Sequence, residues 1–214
     1  AAYILPTGGA TGAPKAVTLS HRNLVANASQ CVAWAGGEIG HHVGLSVLPF
    51  FHSYGLTGNL LAGTALAATQ VLLHRFIPRV VVKLIEQHQP TTFNAVPAML
   101  AALNEIFRSK PPKNRNLRYV QVGGAPLDSK IALEFARHTG AQVVEGYGLS
   151  ECTPCVTAGP LDGTARMGTI GLPLPDTHVR IVDADTGERT LLPNEVGELA
   201  VRGPQTMLGY WNNP

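Results

Sequence analysis

Apolar positions along this chain follow two alternating rhythms up to about residue 155. Short apolar runs of four or five residues fit buried strands. Longer stretches with apolar positions three and four apart fit helices. The runs predict strands over 1–5, 16–19, 44–48, 69–73, 91–94, 118–122 and 142–144. Between them the pattern predicts a helix over 21–35, with Ser20 as N-cap and Gly36-Gly37 ending it. A second helix is expected over 56–66. A third starts at Pro78 and places Val81, Val82, Leu84 and Ile85 on an apolar face. A fourth starts at Pro97, with Met99, Leu100, Leu103 and Phe107 on one side. A fifth is capped by Asp128 and offers Ile131, Leu133 and Phe135 for burial. Beyond Cys155 the helical rhythm stops, and Pro, Gly and Thr multiply. Short strands at 178–182 and 198–201, with Asp185-Thr186-Gly187 as a turn between them, suggest a β subdomain from about residue 160.

Strands that alternate with helices pair in parallel through right-handed crossovers. The expected fold class is therefore α/β: a mostly parallel β-sheet flanked by helices over 1–159, then a partial β subdomain over 160–214. Ligands in such sheets bind beyond the carboxyl ends of the strands. Three glycine- or aromatic-rich loops fall there, at 51–55, 123–126 and 146–151, and they are expected to meet.

Composition sharpens this outline. Of the 214 residues 45% are hydrophobic and 14% charged, which demands an extensive core and argues against disorder. A net charge of +2 argues neither for nor against a nucleic-acid partner, and no basic stripe with interleaved aromatics is present, so none is expected. The stretch from Ile39 to His74 has no Asp, Glu, Lys or Arg, yet Pro49, His52, Ser53 and Asn59 interrupt it, so a buried strand, loop and helix is expected rather than a membrane span. Cys31 stands alone, while Cys152 and Cys155 form a C-x-x-C. No second pair follows to complete a zinc site; reduced thiols in a cytoplasmic protein are the expectation, with a redox pair as the alternative. The chain has no initiating Met, starts inside a strand pattern and stops in a loop-like Trp211-Asn212-Asn213-Pro214, which suggests a piece of a larger enzyme.

Two stretches carry chemistry. Thr7-Gly8-Gly9-Ala10-Thr11-Gly12-Ala13-Pro14-Lys15 packs three glycines, two hydroxyls and a lysine between two apolar runs. Glycines at this density let backbone N–H groups turn toward one point, and Lys15 adds charge, which suits a phosphate cradle. It lacks the Gly-Lys-Ser/Thr and following helix of a Walker loop. A flexible hairpin loop with a surface lysine is the other reading. The second stretch is Glu145-Gly146-Tyr147-Gly148-Leu149-Ser150-Glu151. It offers a flat ring, close backbone approach, a hydroxyl and a carboxylate, the hard oxygen ligand that Mg2+ prefers. By itself it is equally a strand-to-turn corner with a surface Glu.

Together the two stretches resemble the adenylate-forming superfamily, which includes acyl-CoA synthetases, firefly luciferase, 4-coumarate–CoA ligase and nonribosomal peptide adenylation domains. The 7–15 loop is similar to that family's Thr-Ser-Gly-Thr-Thr-Gly-x-Pro-Lys, with Gly8 in place of the serine and Ala10 in place of a threonine. Tyr147 to Glu151 resembles its Tyr-Gly-x-Thr-Glu, with Ser150 for Thr. Gly123-Gly124-Ala125-Pro126-Leu127 resembles its adenine-pocket loop, and Gly197-Glu198-Leu199 through Gly209-Tyr210-Trp211 a later element. The resemblance implies that Thr7, Gly8, Gly9, Thr11, Gly12 and Lys15 hold the β- and γ-phosphates of ATP. It implies that Tyr147 stacks on adenine in a pocket of Gly124, Ala125, Pro126, Glu145, Gly146 and Gly148, that Ser150 donates to the α-phosphate, and that Glu151 binds Mg2+. His52, Ser150, Glu151 and Lys15 are then the catalytic set, and Ala10 removes one hydroxyl from the phosphate clamp.

The implied reaction activates a carboxylic acid with ATP and passes the acyl group to the thiol of CoA. Members that activate amino acids resemble Phe-Asp where this chain has Phe51-His52, so a plain acid is expected. Phe51, His52, Tyr54, Gly55, Val96 and Gly123 would border the acyl group, and the wording around 48–55 and 94–100 looks most like fatty-acyl-CoA ligases, with aryl acids open. Alternatives are an adenylation domain serving a carrier protein and an idle nucleotide-binding module. The family's Thr-Gly-Asp and C-terminal lysine do not occur in these 214 residues, so the chain alone is expected to be inactive and, with apolar edges exposed, to self-associate.

Overall fold

A computed structural model describes residues 1–7, 15–113 and 115–213 of the chain. A hairpin opens it: β1 (Tyr3–Thr7) pairs antiparallel with β2 (Lys15–Leu19), Thr7 opposite Lys15. Helix α1 (His21–Ala35) follows. Its N-terminus is a capping box. The Ser20 hydroxyl accepts from the Asn23 N–H at 3.1 Å, and the Ser20 N–H donates to Asn23 Oδ1 at 2.9 Å. Gly36 ends the helix at φ +61°, a conformation that a side chain resists.

The main sheet then accumulates from β3 (Val43–Ser46), β4 (Thr69–Leu72), β5 (Thr92–Ala95), β6 (Tyr119–Val122) and β7 (Gln142–Gly148), all parallel. Strands β8 (Cys155–Ala158) and β9 (Leu172–Pro173) extend it antiparallel, giving the order β4-β3-β5-β6-β7-β8-β9. The mostly parallel α/β architecture expected from the alternating rhythms is thus present. Strands β10 (His178–Val182) and β11 (Glu198–Arg202) pair with each other, and β12 (Gly209–Tyr210) adds to β2.

The two faces of the sheet differ because strand residues alternate. Leu45, Phe93, Ala95, Val120, Val122 and Val143 point to one face. They pack under α3 (Pro78–His88), α4 (Pro97–Ser109) and α5 (Ser129–Thr139) against Val81, Ile85, Leu100, Leu103, Phe107, Ala132 and Phe135. This is the main apolar core. The alternate residues Gly44, Ser46, Thr92, Asn94 and Gln121 face the other way and line a cavity beneath α1.

Three details depart from the expected elements. The helix read over 56–66 is a π-helix at Gly55–Leu61 that tightens into α2 (Ala62–Ala65). Outside donors take its carbonyls: Asn94 Nδ2 donates to Gly58 O at 2.9 Å and Gln70 Nε2 to Asn59 O at 3.2 Å. These bonds compete with the ordinary ladder and suit the wider turn. The strand expected over 44–48 stops at Ser46. Strand β7, expected to end at Val144, runs through Gly148 because β8 pairs with its Gly-Tyr-Gly segment. A Cβ on Gly148 would strike the Pro154 carbonyl, so only glycine permits that approach.

Candidate active site

Strands β6 and β7 both point their carboxyl ends at one side of the sheet, and the loops that follow close around a cavity of about 50 Å³. His52 and Tyr54 line it from the first loop, Gly123 and Gly124 from the second, and Gly146, Tyr147 and Gly148 from the third. The three loops therefore meet. Gln121, on strand β6 two positions before Gly123, forms part of the wall.

His52 is exposed, and its Nδ1 accepts from the Tyr54 N–H at 3.2 Å. That places the proton of the neutral imidazole on Nε2. Tyr54 is buried and donates its hydroxyl to Gln121 O at 2.9 Å; burial pushes its pKa well up, so it remains a donor. Tyr147 is 38% exposed, leaving its ring accessible. Glu145 braces the site from behind. One carboxylate oxygen accepts from the Leu127 N–H at 3.4 Å and the other from the Gly168 N–H at 2.8 Å. It thus ties 123–127 to the segment near residue 168. Gly124 takes φ +82° and faces Val96 Cγ1, while Ala125 and Pro126 are exposed.

A second group of polar atoms lies where β2 meets β12. The Tyr210 hydroxyl donates to Glu151 Oε1 at 2.8 Å, and Lys15 Nζ sits 4.8 Å from the centre of the Tyr210 ring. A cation over an aromatic face is attracted by the ring quadrupole. The hydrogen bond to Glu151 is the main cause that raises the Tyr210 pKa, so this hydroxyl also remains protonated. The Glu151 backbone carbonyl accepts from the Met207 N–H at 2.8 Å. Tyr210 therefore joins the lysine that ends the 7–15 loop to the carboxylate of the 145–151 stretch. Ser150 opens the 3-10 turn (Ser150–Cys152) that carries Glu151, and the Thr7 hydroxyl donates to Lys15 O at 3.3 Å.

The structure distributes the remaining sequence candidates plainly. Gly8, Gly9, Thr11 and Gly12 lie outside the described residues, as does Ala10. Phe51 is 76% exposed beside His52, and Gly55 is buried against the Pro49 carbonyl at the start of the π-helix. Tyr210 and Gln121 received no role from the sequence. Tyr210 sits in a recognised Gly-Tyr-Trp stretch, and strand alternation puts Gln121 opposite the apolar face of Val120 and Val122. Both signals were available, but neither says what the side chain meets. All three cysteines are free thiols, and Cys31 packs against Cys155 rather than against Cys152; the neighbouring Cys155 thiol first and burial second push the Cys31 pKa up. Among the described residues no cluster of three or more His, Cys, Asp or Glu could hold a metal ion.

Comparison with known proteins agrees with this geometry. Residues 1–211 match the sequence family described as AMP-binding enzyme. A long-chain-fatty-acid–CoA ligase of Bacillus subtilis is 39% identical over 97% of this chain and 37% of its own length. The crystal structure of a long-chain-fatty-acid-CoA ligase from Archaeoglobus fulgidus superposes with TM-score 0.88 at 28% identity, over 98% of this chain and 43% of that one. ATP-bound MatB from Rhodopseudomonas palustris superposes with TM-score 0.90 at 30% identity, over 99% of this chain and 41% of that one. The chain thus spans 37% to 38% of the length of the Bacillus subtilis ligase and of similar curated relatives. With the hairpin, the three converging loops and a match over 1–211, the chain belongs to the AMP-binding enzyme family.

Proposed function

We propose that the protein carrying this chain activates a fatty acid with ATP to an acyl-adenylate, releases pyrophosphate, and transfers the acyl group to the thiol of CoA. The observation that carries this reading is the convergence of His52, Gly123, Gly124 and the Gly146–Gly148 segment on one cavity, with the Lys15–Tyr210–Glu151 group on the strand system beside it. In that division residues 1–159 supply the nucleotide and acyl sites, and 160–214 form a partial β subdomain.

The roles are those that the resemblance to the adenylate-forming superfamily implies. Tyr147 offers its ring face to adenine, and Gly124, Ala125, Pro126, Glu145, Gly146 and Gly148 shape the slot around it. Thr7, Gly8, Gly9, Thr11, Gly12 and Lys15 hold the departing phosphates, and Ser150 donates to the α-phosphate. Phe51, Tyr54, Gly55, Val96 and Gly123 border the acyl group. His52 donates from Nε2 to the reacting carboxylate and presents no anion, which suits an acid without an ammonium group. A carboxylate oxygen forms a bond to the α-phosphorus as the bond to the bridging oxygen breaks and pyrophosphate leaves. A thiolate then attacks the acyl carbon, and AMP leaves with the electron pair. Preorganised donors at the phosphates hold the charge that moves in the first step. Mg2+, bound by Glu151, would neutralise phosphate charge there.

The three cysteines are free thiols, which suits a reducing, cytoplasmic setting. No helix among the described residues is long and apolar enough to cross a membrane. The test is pyrophosphate release by the full-length protein given ATP, Mg2+, CoA and long-chain acids. Release that requires the acid, with acyl-CoA formed in equal amount, is the expected result. ATP binding without any acid-dependent release would overturn it. The isolated 214-residue chain is expected to release none.

A further inference from the structure

A second cavity, about 100 Å³, lies between α1, the π-helix and the polar-lined face of the sheet. Gln121 and Cys155 line both this cavity and the one beside His52, so the two adjoin. Most side-chain groups along its wall are paired. The Ser46 hydroxyl donates to Gln70 Oε1, Gln70 Nε2 donates to Asn59 O, and Asn94 Nδ2 donates to both Gly58 O and Asn59 Oδ1.

Asn59 Nδ2 and the two ring nitrogens of His42 are the exceptions among the described residues. Asn59 is 4% exposed and lines the cavity, yet its Nδ2 has no hydrogen-bond partner among the described residues. Its orientation follows from its neighbours. The Asn94 amide must present nitrogen to the Gly58 carbonyl, so the same nitrogen requires oxygen from Asn59. Turning Asn59 over would set two N–H groups against each other. A buried donor left unpaired is costly and calls for an acceptor. Asn59 also lies within the π-helix, a rare geometry concentrated at functional sites.

Resting on the acyl-activating reading above, we propose that Asn59 reads an oxygen acceptor in the middle of the acyl chain, so that the preferred substrate is an oxygenated fatty acid, such as a hydroxy or oxo acid, rather than a plain one. The position of the oxygen follows from the helix. Seven residues separate His52, at the carboxylate, from Asn59, which is about 10 Å at helical rise. An extended chain advances ~1.2 Å per bond, so about eight bonds cover that distance and the oxygen falls near the eighth to tenth carbon.

The test compares, in the full-length protein, plain C12 to C16 acids with the same acids hydroxylated at the eighth, ninth or tenth carbon, scored by acid-dependent pyrophosphate release. The wild type is expected to favour the hydroxy acid in kcat/KM by about tenfold, the scale of one hydrogen bond to a buried donor. Asn59→Leu is expected to reverse that preference. Asn59→Asp retains an oxygen facing Asn94 but lacks the free donor, and is expected to lose it. Wild-type preference for the plain acids overturns the proposal without any variant. Equal losses on both acids in either variant, with unchanged thermal melting, also overturn it and make Asn59 a structural residue. Absence of release with every acid is a different result: it removes the acyl-activating reading, and this proposal with it.

Discussion

Glu151 and Tyr210 show how much a single contact organises. The Glu151 carboxylate is aimed by a hydroxyl from a strand 59 residues away in sequence, and the same ring carries the Lys15 ammonium on its face. Glu151→Gln in the full-length protein removes the charge and keeps the shape. It is expected to cut adenylation by ~10²-fold or more, the scale of losing one transition-state contact. Near-normal turnover with Mg2+ would sink its assignment as the metal ligand. Tyr210→Phe removes only the hydroxyl and keeps the ring under Lys15. It is expected to raise the Mg2+ concentration needed for half-maximal rate by roughly tenfold, with the KM for ATP little changed, because one charge-assisted bond that aims the carboxylate is lost. An equal rise in both constants would assign Tyr210 to ATP binding in general. The sequence offered Tyr210 only as part of a recognisable stretch. Its role depends on β12 folding back onto β2, a contact that no local rhythm encodes.

At the scale of elements, α1 is the informative case. Its cap and its end were legible from Ser20 and Gly36, and both stand where expected. Its buried face was not. Asn23, Asn27 and Gln30 recur at helical spacing, are buried, and reach backbone on β8 and in the 175–206 segments. Amides on a helix normally read as its solvent side. Asn27 donates to Cys155 O at 2.8 Å and accepts from Cys155 N at 3.0 Å, so it supplies the pairing that a neighbouring strand would have given. Asn27→Ala leaves both groups buried and unpaired. It is expected to cost about 3 kcal/mol, read as a lower urea midpoint. An unchanged midpoint would mean that the two groups find other partners. Helices α4 and α5 share the apolar core and are joined by charge as well. Arg108 Nε bonds Glu134 Oε1 at 2.7 Å, and this contact holds the Glu134 carboxyl below its ordinary range. A folded-state pKa below the unfolded one contributes stability that is present above the ordinary carboxylate pKa and lost as pH falls through the folded value. The stability difference between the wild type and Glu134→Gln should therefore shrink between pH 6 and pH 3, and shrink at high salt as well, since the pair is partly exposed. Urea midpoints across that pH range provide the check; a constant difference would remove the ion pair as its source.

On the scale of the whole molecule, the sheet divides labour between its faces. One face is apolar and packs α3, α4 and α5; the other is lined by small and polar residues and leaves a cavity beneath α1. The isolated chain also presents apolar side chains to solvent, among them Phe51, Leu72 on the edge strand β4, and Leu208. An exposed sheet edge beside such groups is prone to pair with another copy. The 214-residue chain by itself is expected to self-associate, seen by light scattering as a mass that rises with concentration. A monodisperse monomer at high concentration would contradict this.

The sequence alone determined the succession of strands and helices, the parallel sheet and the ends of the strands at which the loops gather. These are consequences of local periodicity, caps and glycines, and such forces act over a few residues. Its resemblance to the adenylate-forming superfamily also anticipated the family, because the diagnostic residues stand close together in sequence. Only the tertiary structure decided that β7 continues through Gly148, that Cys31 packs against Cys155, that the polar side of α1 faces inward, and that Tyr210 joins Lys15 to Glu151. Each of these depends on contacts between distant segments, where burial gives a polar side chain a partner that its neighbours in the chain cannot reveal. The 7–15 loop, with three glycines between β1 and β2, has its strands and its lysine placed by that structure, and its lysine by an aromatic ring 195 residues further along.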